Sequence, residues 1–300
     1  MSSSARPIVA YIWLCIGIVA ISFAAIFIKM TTAPAAITAF YRMVMTAVLL
    51  SPFAFRGLRD AVMRLTYRER WLFVLSGVAL TIHFIFWIQS LFYTSVASST
   101  LVLALQPIFV LLLDRIFFGV RVKVRTWLYA WIAIFGTAVI GWHDLYGGKT
   151  ALLGDLLAVF GTVAVSIYFI AGQSLRRKVS SVHYSFLVYL VSGVLLAGYS
   201  VWKGYSFVDY SRADWEVFVL LTLIPTVFGH TLFNTLLKYL PASTIAMGIV
   251  GEPIGATVLS YFLLHASIPL LWYVGAVFVV GGVVLFLRSM HSTNVPPSET

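Results

Sequence analysis

Charge is scarce in this chain. Only 10% of its 300 residues are Asp, Glu, Lys or Arg, against roughly 25% in ordinary soluble domains, and no polar stretch is long enough to build a soluble domain. Acids are the rarer sign, ten against twenty bases. Cysteine is nearly absent, and Cys15 alone excludes an internal disulfide. There is no HExxH, GxSxG or Walker-type loop, and the six histidines (83, 143, 183, 230, 265 and 291) never share a helical turn. These absences argue against an enzyme, a metal centre or a nucleotide-hydrolysing pump, and no cofactor is expected. A receptor or scaffold would display a longer loop.

Apolar residues fill the space instead. They make up 61% of the chain, and the mean hydropathy is +0.98. Runs of about 20 apolar residues, each enough to cross a hydrocarbon core of about 30 Å, occupy nearly the whole length. The reading is an all-α integral membrane protein with ten spans, at approximately 8–28, 34–55, 71–93, 96–118, 127–142, 154–174, 183–203, 215–237, 242–264 and 269–288. The first run lacks a small-x-small cleavage site and leads straight into a second span, so it is expected to stay in the mature protein. Residues 289–300 read as a disordered polar tail.

With the N-terminus inside, fifteen Lys and Arg residues fall on the cytoplasmic side; only Lys29, Lys149, Lys203 and Arg212 fall outside, and Arg42 lies within a span. That is the positive-inside asymmetry, so both termini are expected in the cytoplasm. The net charge of +10 is then a topology signal that also attracts anionic lipid, not a nucleic-acid footprint.

Landmarks repeat at an offset of 146: Leu91 with Leu237, Tyr93 with Tyr239, Pro107-Ile108 with Pro253-Ile254, Gly136 with Gly282. Five spans per half is an odd number, so residues 1–148 and 149–288 are expected to be two repeats of opposite topology. In secondary transporters with such repeats, interrupted helices mark a site near the bilayer midplane. Here LALQPIFVLLL and GIVGEPIGATVL each place a polar residue and then a proline in mid-span. Pro107 and Pro253 supply no N–H to the carbonyls of Leu103 and Ile249, which in lipid need a partner or a wet cavity. Gln106 and Glu252 are costly there unless they face an interior. The plainer reading is a pair of packing kinks. A channel would more often present a ring of like groups, whereas these halves differ at nearly every polar position.

The stretch SFAAIFIKMTTAPAAITAFYRM, the later LPAST and GEPIG, and ten spans in two halves resemble the drug/metabolite transporter superfamily, its EamA-type exporters, and most of all the YddG-type amino-acid exporters. The resemblance implies ten helices around a central cavity and export of aromatic and other neutral amino acids across a bacterial-type inner membrane. Where relatives commonly carry Gly-Glu after the fourth and ninth spans, this chain has Gly119-Val120-Arg121 and Leu264-His265-Ala266. No role of that glutamate carries over.

A zwitterion needs a partner for each charge. Arg42, eight residues or about 12 Å into its span, can grip a carboxylate in bidentate fashion, or else be tied structurally to Glu252 or to loosened carbonyls; Tyr41 beside it points about 100° away. Gln106 and Glu252 are acceptors for the ammonium, and Glu252 is also a group that can carry a proton. His83, Trp87, Ser90 and Thr94 form one polar helix face, and Thr226, His230, Asn234 and Lys238 another. Trp87 and Tyr168 offer aromatic surface to a side chain or a cation. The candidate substrate-binding set is therefore Tyr41, Arg42, His83, Trp87, Gln106, Pro107, Tyr168, His230, Asn234, Glu252 and Pro253, acting in a monomer by alternating access. The competing cargoes are another small metabolite, or a nucleotide sugar or sugar phosphate, which would call for more cations.

Overall fold

In a computed structural model, residues 5–140, 149–264, 268 and 270–291 are described. Among them there is no strand. The helices in chain order are α1 (Ala5–Ser22), α2 (Ala24–Lys29), α3 (Ala35–Ala54), α4 (Leu58–Met63), α5 (Tyr67–Tyr93), α6 (Val96–Leu103), α7 (Gln106–Phe118), α8 (Val124–Ile140), α9 (Lys149–Leu175), α10 (Ser181–Trp202) and α11 (Arg212–Leu221). A π-helical segment, Thr222–Thr231, comes next, and then α12 (Leu232–Leu236), α13 (Ala242–Ile249), α14 (Glu252–Leu264) and α15 (Leu270–His291).

Several short pieces stack into longer apolar rods, so nine helical stretches among the described residues are long and apolar enough to cross a membrane. The shorter apolar α8 has 17 residues, about 25 Å of helix; positions 141–148, where the fifth span was expected to end, lie outside the described residues. The first span, expected at 8–28, is found as Ile8–Lys29, interrupted by a turn at Phe23 that has no side-chain cap. A short helix, α4, occupies part of the basic stretch between the second and third spans, and none of its side chains is buried. The last helix runs through Ser289 to His291, into the expected tail, whose remaining residues 292–300 lie outside the described residues.

Local chemistry sets the ends. Thr66 and Ser211 each close a capping box, with Glu69 and Asp214 at the third helical position. Gly119 ends α7 at φ 67°, a left-handed turn that glycine adopts without strain. One main core runs through α1, α3, α5, α9, α10, α12 and α13. The last rod, α15, packs mainly against α8. There Gly136 and Gly275 leave no room for a side chain between the two backbones.

Candidate functional site

The two proline-bearing rods break in register. α6 and α13 have eight residues each, α7 and α14 thirteen each, and every boundary of the second pair lies 146 positions after the first (242 − 96 and 252 − 106 are both 146). The joints also share their hydrogen bonds. Leu105 N donates to Val102 O at 3.1 Å and Ile108 N to Leu105 O at 3.0 Å; Gly251 N donates to Gly248 O at 3.0 Å and Ile254 N to Gly251 O at 3.1 Å. Each break is thus one tight i→i−3 turn, after which the proline stands as the second residue of a new helix. Pro107 and Pro253 do not line the cavity. Their effect is on the backbone, and the residues whose carbonyls they deprive of a partner, Leu103 and Ile249, do line it.

That cavity has a volume of about 30 Å³, room for about two waters, and lies between the two joints. Its polar lining is Arg42 from α3, His83 and Trp87 from α5, Gln106 from α7, His230 from the π segment and Glu252 from α14; its apolar lining is Ile21, Ala24, Leu103, Val165, Phe169, Phe233 and Ile249. All six polar residues are at least nine-tenths buried.

Arg42 is fully buried. Its Nε donates to Thr226 Oγ1 at 2.5 Å, while the Thr226 hydroxyl donates onward to Leu221 O at 2.7 Å. The guanidinium carbon lies 4.5 Å from the centre of the Phe84 ring, a cation–π arrangement. Both terminal nitrogens, Nη1 and Nη2, have no partner among the described residues. Ion pairs within 4.0 Å among the described residues are confined to Lys178–Glu69 and Arg212–Glu216, so the structural tie between Arg42 and Glu252 that the sequence left open is absent. The Glu252 carboxylate, in a residue 4% exposed, has no hydrogen bond among the described residues; only its backbone carbonyl does, from Ser22 Oγ.

Of eight buried side-chain polar atoms left without a partner among the described residues, five belong to this cavity: Arg42 Nη1 and Nη2, Trp87 Nε1, Gln106 Nε2 and His230 Nδ1. An unmet buried donor or acceptor costs about 1–3 kcal/mol, and native interiors carry few. Their convergence beside an unpaired carboxylate marks a site that a ligand with both charges would complete. His83 differs. Its Nδ1–H donates to Gly161 O at 2.9 Å, which fixes the tautomer, and its ring stacks on Trp87 at 5.8 Å and 8°. A Cβ at Gly161 would approach Trp87 N to 3.2 Å, so glycine there permits the close contact of α9 with α5.

Three sequence candidates lie elsewhere. Tyr41 packs on Trp215 and Phe218 and donates to Phe207 O, in a separate cluster with Ala33 and Ile37. Tyr168 and Asn234 are tied to each other: Tyr168 OH donates to Asn234 Oδ1 at 2.6 Å, and Asn234 Nδ2 donates to Ser185 Oγ at 3.0 Å. The Tyr168 ring lies 6.5 Å from that of His230, so this pair supports the cavity wall from behind. Phe84 and Thr226, which hold Arg42, were outside the candidate set; Thr226 shares the polar stripe of His230, whereas Phe84 carries no signal that separates it from the many other aromatics.

Both ends of the structure are latched, in matching ways. Asp214, 3% exposed, accepts from Thr31 Oγ1 at 2.6 Å, Thr32 N at 2.9 Å, Ser211 Oγ at 2.7 Å and Ser211 N at 3.1 Å. Glu69 accepts from Thr66 N at 2.9 Å and pairs with Lys178. Each acid is the third residue of a capped helix, and each is reached by the loop that comes after the first rod of the other half.

Apolar rods around a small polar cavity define a membrane carrier, and similarity gives its family. Residues 8–142 and 152–288 each match the EamA-like transporter family, so the chain belongs to that family and is a multi-pass membrane transporter. The transporter YetK of Bacillus subtilis is 22% identical over 237 residues, covering 76% of this chain and 72% of its own. A transporter of Archaeoglobus fulgidus is 24% identical over 259 residues, covering 80% and 90%. Both are described only as uncharacterized transporters, so they carry the class and not the cargo, and they lend no support to the narrower likeness to YddG-type exporters. One solved crystal structure superposes with a TM-score of 0.75 at 19% identity, over 95% of this chain and 99% of the other, which shows a shared fold.

Proposed function

We propose that the chain is a secondary transporter that exports amino acids, aromatic and other neutral ones, from the cytoplasm by alternating access. The observation that carries this reading is the unpaired Arg42 guanidinium and unpaired Glu252 carboxylate in one buried cavity. A zwitterion supplies the missing partner of each. Its carboxylate takes Arg42 Nη1 and Nη2, its ammonium takes Glu252 and the Gln106 amide oxygen, and Trp87, Phe169 and Phe233 flank its side chain. A phosphate-bearing cargo would want several cations, and Arg42 is the one Lys or Arg in the lining.

The accompanying topology is ten spans, with α8 as the fifth, in two inverted five-helix repeats at residues 1–148 and 149–288. It is supported by the double family match and by the identical joints at an offset of 146. The charge asymmetry supports cytoplasmic termini in a bacterial-type inner membrane, and the monomer holds the whole cavity. A cavity of about 30 Å³ with latches at both ends is the occluded member of the cycle, and rocking about the two joints opens it to one side or the other.

The test is flux from proteoliposomes loaded with a panel of labelled amino acids. Saturable efflux of neutral members, lost in Arg42→Gln and in Glu252→Gln, is the expected result. Absence of saturable efflux for every member would refute the cargo.

A further inference from the structure

A second and larger cavity lies along the same helices. Its volume is about 400 Å³, within the range of small-molecule sites. On α7 the step from Gln106 in the central cavity to Asp114 in the second is eight residues, about 12 Å. On α9 the step from Phe169 to Gln173 is four, and on α13 that from Ile249 to Ser243 is six, about 9 Å. Both cavities are lined from all three helices, so the two are stacked along one axis.

The second cavity repeats the chemistry of the first. Asp114 is 2% exposed and has no ion pair within 4.0 Å among the described residues, although Arg177 and Lys238, both exposed, line the same space. The Ser243 hydroxyl is fully buried and lies beside Asp114 in the same lining. Gln173 closes the inner wall: its Nε2 donates to Asp114 Oδ1 at 3.0 Å and its Oε1 accepts from Ala242 N at 2.5 Å. One amide therefore clasps α7 to the first backbone N–H of α13.

We propose that this cavity is a loading site where a zwitterionic solute binds before it reaches Arg42 and Glu252, an inference that rests on the amino-acid reading above. The ammonium binds Asp114, the carboxylate binds Arg177 with Lys238, and the Ser243 hydroxyl supplies a further contact. An ammonium on Asp114 competes with the Gln173 amide for Oδ1. Capture of solute and release of the clasp on α13 are then one event, and the way to the central cavity opens only behind a bound solute.

Equilibrium binding of radiolabelled leucine, phenylalanine and threonine to the purified full-length chain tests this, together with flux measured separately from each face. Two sites per chain are expected in the wild type and one in Arg42→Gln. Asp114→Asn and the exposed Arg177→Gln should each raise KM about tenfold from the Arg177 face, the loss of one charge-assisted contact, and leave KM from the other face unmoved. Because Asp114→Asn replaces a buried group, a second readout guards against misfolding. In a Cys15→Ala background, leucine should protect Val120→Cys, at an exposed position of the same lining, from maleimide even in the Arg42→Gln variant. A single site per chain, removed by Arg42→Gln, with KM indifferent to Asp114 and Arg177, would overturn the loading site and leave the central one standing. Binding of none of the three amino acids by the wild type would overturn both.

Discussion

Arg42 and Glu252 line the same buried cavity yet do not form an ion pair within 4.0 Å. Breaking a buried pair by removing one partner costs about 3–5 kcal/mol of stability; where no pair exists, that penalty does not arise. Arg42→Gln and Glu252→Gln should therefore each lower transport by about a hundredfold or more, the loss of a desolvated charge contact with the solute, while neither lowers stability in detergent by as much as a broken buried pair would. The double variant should transport no better than either single one. Strong destabilisation by each, cured in the double, would mean that the two charges serve the fold.

The paired joints predict a kinetic defect without a binding defect. Pro107→Ala and Pro253→Ala each restore an N–H that can close on Leu103 or Ile249 and so join the two helices of each rod into one. Each variant should be at least as heat-stable as the wild type and turn over more slowly, at nearly unchanged affinity for solute. The double variant should be slower than either. Equal turnover in all three would show that the joints do not move during transport.

The two latches are matched in place but not in strength. Asp214 is buried and accepts from three side chains and two backbone groups, so Asp214→Ala should cost about 2–4 kcal/mol, from lost capping and unmet donors. Lys178 is 57% exposed and its pair with Glu69 meets water, so Lys178→Ala should cost much less. The Lys178 face is accordingly expected to open first. Maleimide labelling of cysteines introduced beside each latch should show more reaction at the Lys178 face in the wild type, and Asp214→Ala should shift labelling to the opposite face.

Behind the cavity, Asn234 holds Tyr168 and Ser185 through its side chain, while its backbone carbonyl accepts from Arg176 Nε at 2.7 Å. Asn234→Ala should leave the Arg176 bond in place and strand the two hydroxyls, at a cost of about 1–3 kcal/mol. Affinity for solute should change less than for any variant of Arg42, Gln106 or Glu252. Isothermal binding next to a melting curve separates the two effects.

Polar groups placed in apolar runs were the most legible feature of this chain. Arg42, His83, Trp87, Gln106, His230 and Glu252 stand out because hydrocarbon tolerates them only facing inward, and they converge on one cavity. The positions of the joints were legible from Gln-Pro and Glu-Pro at a common offset. Features that depend on tertiary contact were not. Tyr41 adjoins Arg42 in sequence but turns into the Trp215 and Phe218 cluster; Phe84 meets the guanidinium from another helix. Pro225 lies in the eighth span without saying that the backbone there is wound as a π-helix.

That winding has a mechanical meaning. The ten residues Thr222–Thr231 are wound more loosely than the α-helices on either side, and such windings are rare beyond a single turn. Loose winding is slack held in the chain. Rewinding it to the ordinary pitch by one position turns the remainder of the rod by about 100°, which would swing His230 from the cavity wall and withdraw the Thr226 hydroxyl that grips Arg42 Nε. The guanidinium can thus be let go by a twist of one residue, with every helix still wound and every rod still in its place.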